Sequence, residues 1–270
     1  MDELTPLVVA TQCYYWKPMM ALFRALELRV YRESGANLQG PVLDLGCGDG
    51  QVISMLKKVG VIQDEVGGLE ISAREIAKAS KSKVHKWLLQ ASGNHLPFSD
   101  ESFSSVISNS VLCSIPEGVS HSLSEVRRIL RKDGIFVVTV PTDKFIDVLL
   151  VPKILGKFSS RWRARHVKDI NARMPHYNMY PPEEWARQFE NDGFAMLKCE
   201  KFFSLKAGYI WSLLALDGLR LCGLLKSMGI PFVQNRMSRI LQRMFQNFYV
   251  HDPDDANGVY GYLFLVAKKM

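Results

Sequence analysis

Cysteine is scarce and scattered in this chain of 270 residues: Cys13, Cys47, Cys113, Cys199 and Cys222 are odd in number and far apart. That excludes a disulfide framework and close C-x-x-C zinc ligation, and it points to a reducing compartment. The opening Met-Asp-Glu-Leu-Thr-Pro lacks the basic, then apolar, then small-residue order of a secretory leader, so a cytoplasmic location is expected. Internal repeats and low-complexity tracts are absent, which excludes solenoids and long disordered linkers. No uninterrupted membrane span is present either. Residues 207–225 have the length, but Asp217 and Arg220 sit mid-segment, each costing about 2.5 to 3.5 kcal/mol at a bilayer centre; a helix lying on a membrane surface stays open.

Acid is short in two places. The net charge of +7 is unevenly spread. Residues 153–173 hold Lys153, Lys157, Arg161, Arg163, Arg165, Lys168 and Arg173 against Asp169 alone, and residues 204–251 hold Lys206, Arg220, Lys226, Arg236, Arg239 and Arg243 against Asp217 alone. The rest of the chain is therefore net acidic, and the basic character belongs to two segments rather than to the whole.

What is present is an alternation of strands and helices. Leu22, Ala25, Leu26, Val30 and Tyr31 recur at helical spacing after the aromatics Tyr14, Tyr15 and Trp16, predicting a helix that ends near Gly35. Short apolar runs at 42–45, 66–71, 87–89 and 103–108 predict strands. The run 135–140 is continuous and β-branched, as a strand covered on both faces should be. Helices are expected after the glycine-rich turn at 46–50, at 73–80 with Ser72 as N-cap, and at 123–130, closed by Asp133-Gly134. A helix at 182–191, a strand at 194–203 and a last strand at 259–266 complete the series. This order predicts a parallel sheet with helices on both faces. Two stretches, about 142–181 and 204–258, break the rhythm as insertions; the second has helical patterns around Leu213, Leu214, Leu221 and Leu225, then Met237, Ile240, Leu241, Met244 and Phe245.

The strongest chemical signal is Asp44-x-Gly46-x-Gly48-x-Gly50 between strand and helix, where glycines let a ligand approach the backbone. A dinucleotide fingerprint would need glycine at position 51, and Gln51 stands there. Glu70 ends the next strand, where a carboxylate can accept both hydrogen bonds of a ribose diol. Residues 42–52, 68–72 and the element Leu96-Pro97-Phe98-Ser99-Asp100-Glu101-Ser102-Phe103 together resemble the class I S-adenosylmethionine-dependent methyltransferases, in their small-molecule branch. The resemblance runs from about 41 to 140 and resumes at 182–203. It implies one methyltransferase domain over 1–270, an α/β, doubly wound Rossmann-like sheet, mostly parallel with an antiparallel C-terminal strand, and a helical cap from the two insertions.

The resemblance also implies roles. S-adenosyl-L-methionine would be the cofactor, and no metal is expected. Asp44 with the backbone at Gly46, Cys47, Gly48 and Gly50 would hold the methionine portion, Glu70 the ribose, Ile71 the adenine face, and Ser92, Gly93 and Asn94 the adenine edge. Asn109 and Ser110 would line the sulfonium, while Tyr14 and Tyr15 would close over the cofactor. The chain departs from the family pattern in having Ser92 and Ser104 where aspartates are common.

For the acceptor, His176 is the leading base candidate, with Tyr177 beside it, because the first insertion should lie over the C-terminal edge of the sheet. The basic insertion and its aromatics suit a small or lipid-like, anionic acceptor, free or carrier-linked. A nucleic-acid acceptor is disfavoured, since Asn109 is followed by Ser110-Val111-Leu112 and not by the Pro-Pro-aromatic run of exocyclic-amine methyltransferases. A noncatalytic, cofactor-binding or membrane-peripheral partner is the remaining alternative.

Overall fold

The computed structural model describes residues 3–36, 38–215, 231–250 and 258–270. Asp217, Arg220, Leu221, Leu225, Lys226 and His251 lie outside them. The chain divides into two compact units: Met1–Val30, Lys144–Arg173 and Lys201–Gly261 form one, and Tyr31–Asp143, Met174–Glu200 and Tyr262–Met270 the other. The first unit thus gathers the N-terminal helices and most of both insertions.

The sheet of the second unit runs β3-β2-β1-β4-β5-β7-β6, with β1 Val42–Leu45, β2 Val66–Glu70, β3 Trp87–Gln90, β4 Phe103–Asn109, β5 Leu130–Pro141, β6 Phe194–Ser204 and β7 Tyr260–Lys269. The pairings β3-β2-β1-β4-β5 are parallel, as the alternation of elements predicts, and β7 is antiparallel to β5, as the resemblance implies. β1 is buried along its whole length, which explains its unbroken apolar run apart from Asp44. Strand order reverses where β1 lies between β2 and β4, and the crevice at the C-terminal ends of strands there is where open α/β sheets bind ligands.

Helices α3 (Gln51–Lys58), α4 (Ala73–Ser82) and α5 (Ser120–Ile129) flank the strands, and α8 (Pro182–Asn191) buries Trp185 and Phe189, with Trp185 Nε1 donating to the Pro141 carbonyl at 3.0 Å. The expected N-cap is present: Ser72 Oγ accepts from Glu75 N. The expected close of α5 at Asp133-Gly134 is corrected. The helix stops at Ile129, and Leu130 already belongs to β5. Asp133 adopts φ 60° inside that strand, where the register against β4 shifts between Phe103 and Ser105. The pair that reads as a helix terminator is therefore an irregularity within the strand.

The first unit contains α1 (Thr5–Cys13), the start of α2 (Pro18–Ser34), α6 (Leu150–Phe158), α7 (Ser160–Arg173), α9 (Leu205–Leu214) and α10 (Pro231–Val250). α1 was not expected, because Leu7-Val8-Val9-Ala10 has no helical polar face and reads equally as a buried strand. It is held by Ser238 and Gln242 of α10, both of which donate to Thr11 Oγ1, at 3.2 and 3.1 Å. Among the described residues, no helix is long and apolar enough to cross a membrane.

Candidate cofactor site

The turn after β1 is bent by its glycines. Gly46 adopts φ 73°, and a Cβ there would stand 2.3 Å from Val111 Cγ2, so only glycine fits. Gly46 and Cys47 both donate their N–H to the Leu69 carbonyl, which ties the turn to the end of β2. Gly48, at φ 53°, faces open space: its chain neighbours aside, no heavy atom of the described residues lies within 4 Å of where a Cβ would be. The loop therefore packs tightly on one side and presents bare backbone on the other.

Glu70 organises that backbone. One carboxylate oxygen accepts the Gly48 N–H at 3.1 Å and the other the Ser72 N–H at 2.9 Å. Each oxygen has two lone pairs, so a diol can still be bound by the same group. The next residue, Ile71, is 67% exposed.

A cavity of about 520 Å³ lies beside them, lined by Leu45, Gly46, Leu69, Glu70, Ile71, Ala91, Ser92, Gly93, Asn94, Ser110, Val111, Ser114, Ile115, Pro116 and Glu117. It gathers seven of the expected cofactor residues: Gly46, Glu70, Ile71, Ser92, Gly93, Asn94 and Ser110. Ser92 Oγ accepts from Asn94 N at 3.2 Å, so the serine at the position where an aspartate is common shapes its own turn. At the end of β4, Asn109 Oδ1 accepts from Tyr31 Oη at 2.8 Å. Among the described residues, Asn109 Nδ2 and Ser110 Oγ are buried without a hydrogen-bond partner. The orphaned Ser110 hydroxyl on the cavity wall, with a carboxylate-anchored loop and an exposed isoleucine, fits a ligand that is part polar and part planar.

The other expected residues are placed differently. Asp44 lies buried beneath the loop, where its Oδ2 is 3.0 Å from His85 Nε2. Asp44, Cys47 and His85 bring their donor atoms within 4.8 Å of one another, the spacing of a three-ligand metal site. Burial, with Asp44 and Glu70 nearby, pushes the Cys47 thiol up to about 12, which opposes the thiolate that a metal would need. Tyr14 and Tyr15 are buried in the first unit, against Trp16. Neither His176 nor Tyr177 is among the cavity-lining residues. The backbone N–H groups of Tyr177 and Asn178 donate to the Cys113 carbonyl, and Ser114 Oγ donates to Pro175 O, so this segment rests on the loop that forms the cavity's far wall. His176 Nε2 is 3.4 Å from Tyr262 Oη, and burial lowers the imidazole to about 4. It stays neutral at pH 7. Tyr177 is 60% exposed.

Residues that sequence reasoning missed are the far wall, Val111 to Glu117, and His85. The wall carries no motif; the only local hint was that it follows a strand ending at the switch point.

Residues 43–138 match the methyltransferase domain family. The matched residues are about a third of the chain and run from β1 into β5 of the sheet described above. The chain is 37% identical over 120 residues to an uncharacterized protein of Methanocaldococcus jannaschii (43% of each chain) and 33% identical over 117 residues to the uncharacterized methyltransferase YodH of Bacillus subtilis (42% of this chain, 48% of YodH). The matches span less than half the length of these two relatives. A longer match, 27% identical over 177 residues, covers 60% of this chain and 73% of the demethylmenaquinone methyltransferase of Lactiplantibacillus plantarum. Among solved structures, geranyl diphosphate C-methyltransferase from Streptomyces coelicolor superposes with a TM-score of 0.58 at 14% identity, covering 93% of this chain and 79% of that one.

Proposed function

We propose that this protein transfers the methyl group of S-adenosylmethionine to a small or lipid-like, anionic metabolite. One observation carries the reading: Glu70, Ile71, Ser92, Asn94 and Ser110, drawn from three separate segments, converge on one cavity with the glycine-rich loop. Bound there, the cofactor supplies an electrophilic methyl on a sulfonium sulfur. The chain's part is mostly alignment and exclusion of water. Glu70 would take the ribose hydroxyls with the lone pairs that Gly48 and Ser72 leave open. Ile71 would cover the base, and Ser92, Gly93 and Asn94 would edge it. Asn109 and Ser110 would satisfy their buried polar atoms on the ligand.

His176, next to Tyr177, would accept the proton from an oxygen or carbon acceptor; the burial that leaves it unprotonated at pH 7 also lowers its proton affinity. The acceptor class is supported by the acid-poor insertion 142–181 and by two of the similar proteins, named for demethylmenaquinone and for geranyl diphosphate. Incubating the protein with methyl-labelled cofactor and a metabolite extract should yield S-adenosylhomocysteine and one metabolite heavier by a methyl group. Cofactor binding without either product would leave a noncatalytic binder. Label recovered only in RNA would replace the acceptor class.

A further inference from the structure

We propose that the joint between α6 and α7 is a docking surface for anionic lipid membranes. Ile154 and Phe158 lie four residues apart on α6 and so share a face; they are 44% and 76% exposed. Trp162, on the first turn of α7, is 59% exposed. Only Ser159 separates the two helices, and α7 buries none of its residues fully. Three large apolar side chains thus stand in water around one short connection, and it is such grouping, not the exposure of any one of them, that marks an interaction surface.

The charges beside them select the occupant. Lys157, Arg161, Arg165 and Lys168 are exposed and make no ion pair among the described residues. The nearest basic neighbour that does, Arg163, takes Asp147 at 3.3 Å. Asp169 is the only acid on either helix. Cations without counter-ions around exposed tryptophan, phenylalanine and isoleucine complement an anionic lipid surface, where headgroups meet the charges and the acyl boundary takes the apolar groups. A nucleic acid would also meet the charges and could stack on Phe158 and Trp162, but Ile154 has no π face to offer. The inference does not rest on the catalytic reading, because neither donor nor acceptor takes part.

The test is co-sedimentation of the full chain with vesicles of phosphatidylcholine alone and of phosphatidylcholine mixed with phosphatidylglycerol. Binding is expected on the mixed vesicles and not on the neutral ones. Replacing Lys157, Arg161 and Arg165 together by Gln should weaken it on the order of a hundredfold, at about 1 kcal/mol per cation. Phe158→Ser with Trp162→Ser should weaken it at unchanged charge. As a readout independent of any folding defect, lipids carrying a quencher should dim the tryptophan emission of the native chain more than that of Trp162→Phe. Equal binding to both vesicle types, no loss in either variant, or binding to RNA but not to vesicles would overturn the proposal.

Discussion

His85 and Asp44 form a buried pair beneath the glycine-rich loop, with side chains 0% and 4% exposed and Nε2 3.0 Å from Oδ2. The ring also fills space left by two glycines, since Cβ atoms on Gly50 and Gly68 would lie 3.3 and 3.0 Å from it. One imidazole therefore joins the loop, β2 and the only carboxylate in β1.

Removing that ring should be costly. His85→Ala takes a hydrogen bond from a buried carboxylate and is expected to lower unfolding free energy by about 2 to 3 kcal/mol. Lys86→Ala breaks an exposed pair with Glu65 and should cost under about 1 kcal/mol. Urea titration of the two variants checks the ranking, and equal midpoints would refute it.

Two glycines of the same loop should behave differently. Gly46→Ala places a methyl 2.3 Å from Val111 Cγ2 as well as straining φ, whereas Gly48→Ala meets nothing within 4 Å and pays only for its φ of 53°, about 1 to 2 kcal/mol. The expected denaturation midpoints fall in the order native, Gly48→Ala, Gly46→Ala.

Glu70→Gln keeps the shape of the side chain but has one acceptor oxygen for two backbone N–H groups. Cofactor affinity should fall by about 1.5 to 3 kcal/mol, roughly ten- to a hundredfold, in calorimetric titration. Unchanged affinity would remove Glu70 from the site.

His176 makes stability depend on pH. Its folded value of about 4 lies below the usual 6.5 because burial disfavours the imidazolium. Between those values the unfolded chain binds the extra proton, so this contribution is complete above about 6.5 and lost as pH falls toward 4. Thermal melting of His176→Gln should decline less than that of the native protein between pH 7 and pH 5.

The cofactor loop was legible in the sequence because every signal there is local: an apolar run, glycines at alternate positions, a carboxylate closing the next strand and a serine cap. The α5–β5 junction was misread because Asp133-Gly134 serves helix ends and strand irregularities alike, and only the register against β4 tells them apart. His85 was invisible for a different reason. Its partner lies 41 residues away, and no periodicity marks a side chain that fills the space of two glycines. The far wall of the cavity, Val111 to Glu117, depends likewise on where the loop after β4 folds back.

Strand β6 sits at the sheet's margin, and its neighbour there is β7, which is made only after residues 205–259. During synthesis β5 therefore waits with an open edge, and β6 with no partner, until the chain beyond Tyr260 arrives. A version cut short at Gly258 should keep the glycine-rich loop yet clump with its own kind, because the bare hydrogen-bonding rim of β5 would recruit a strand from another copy.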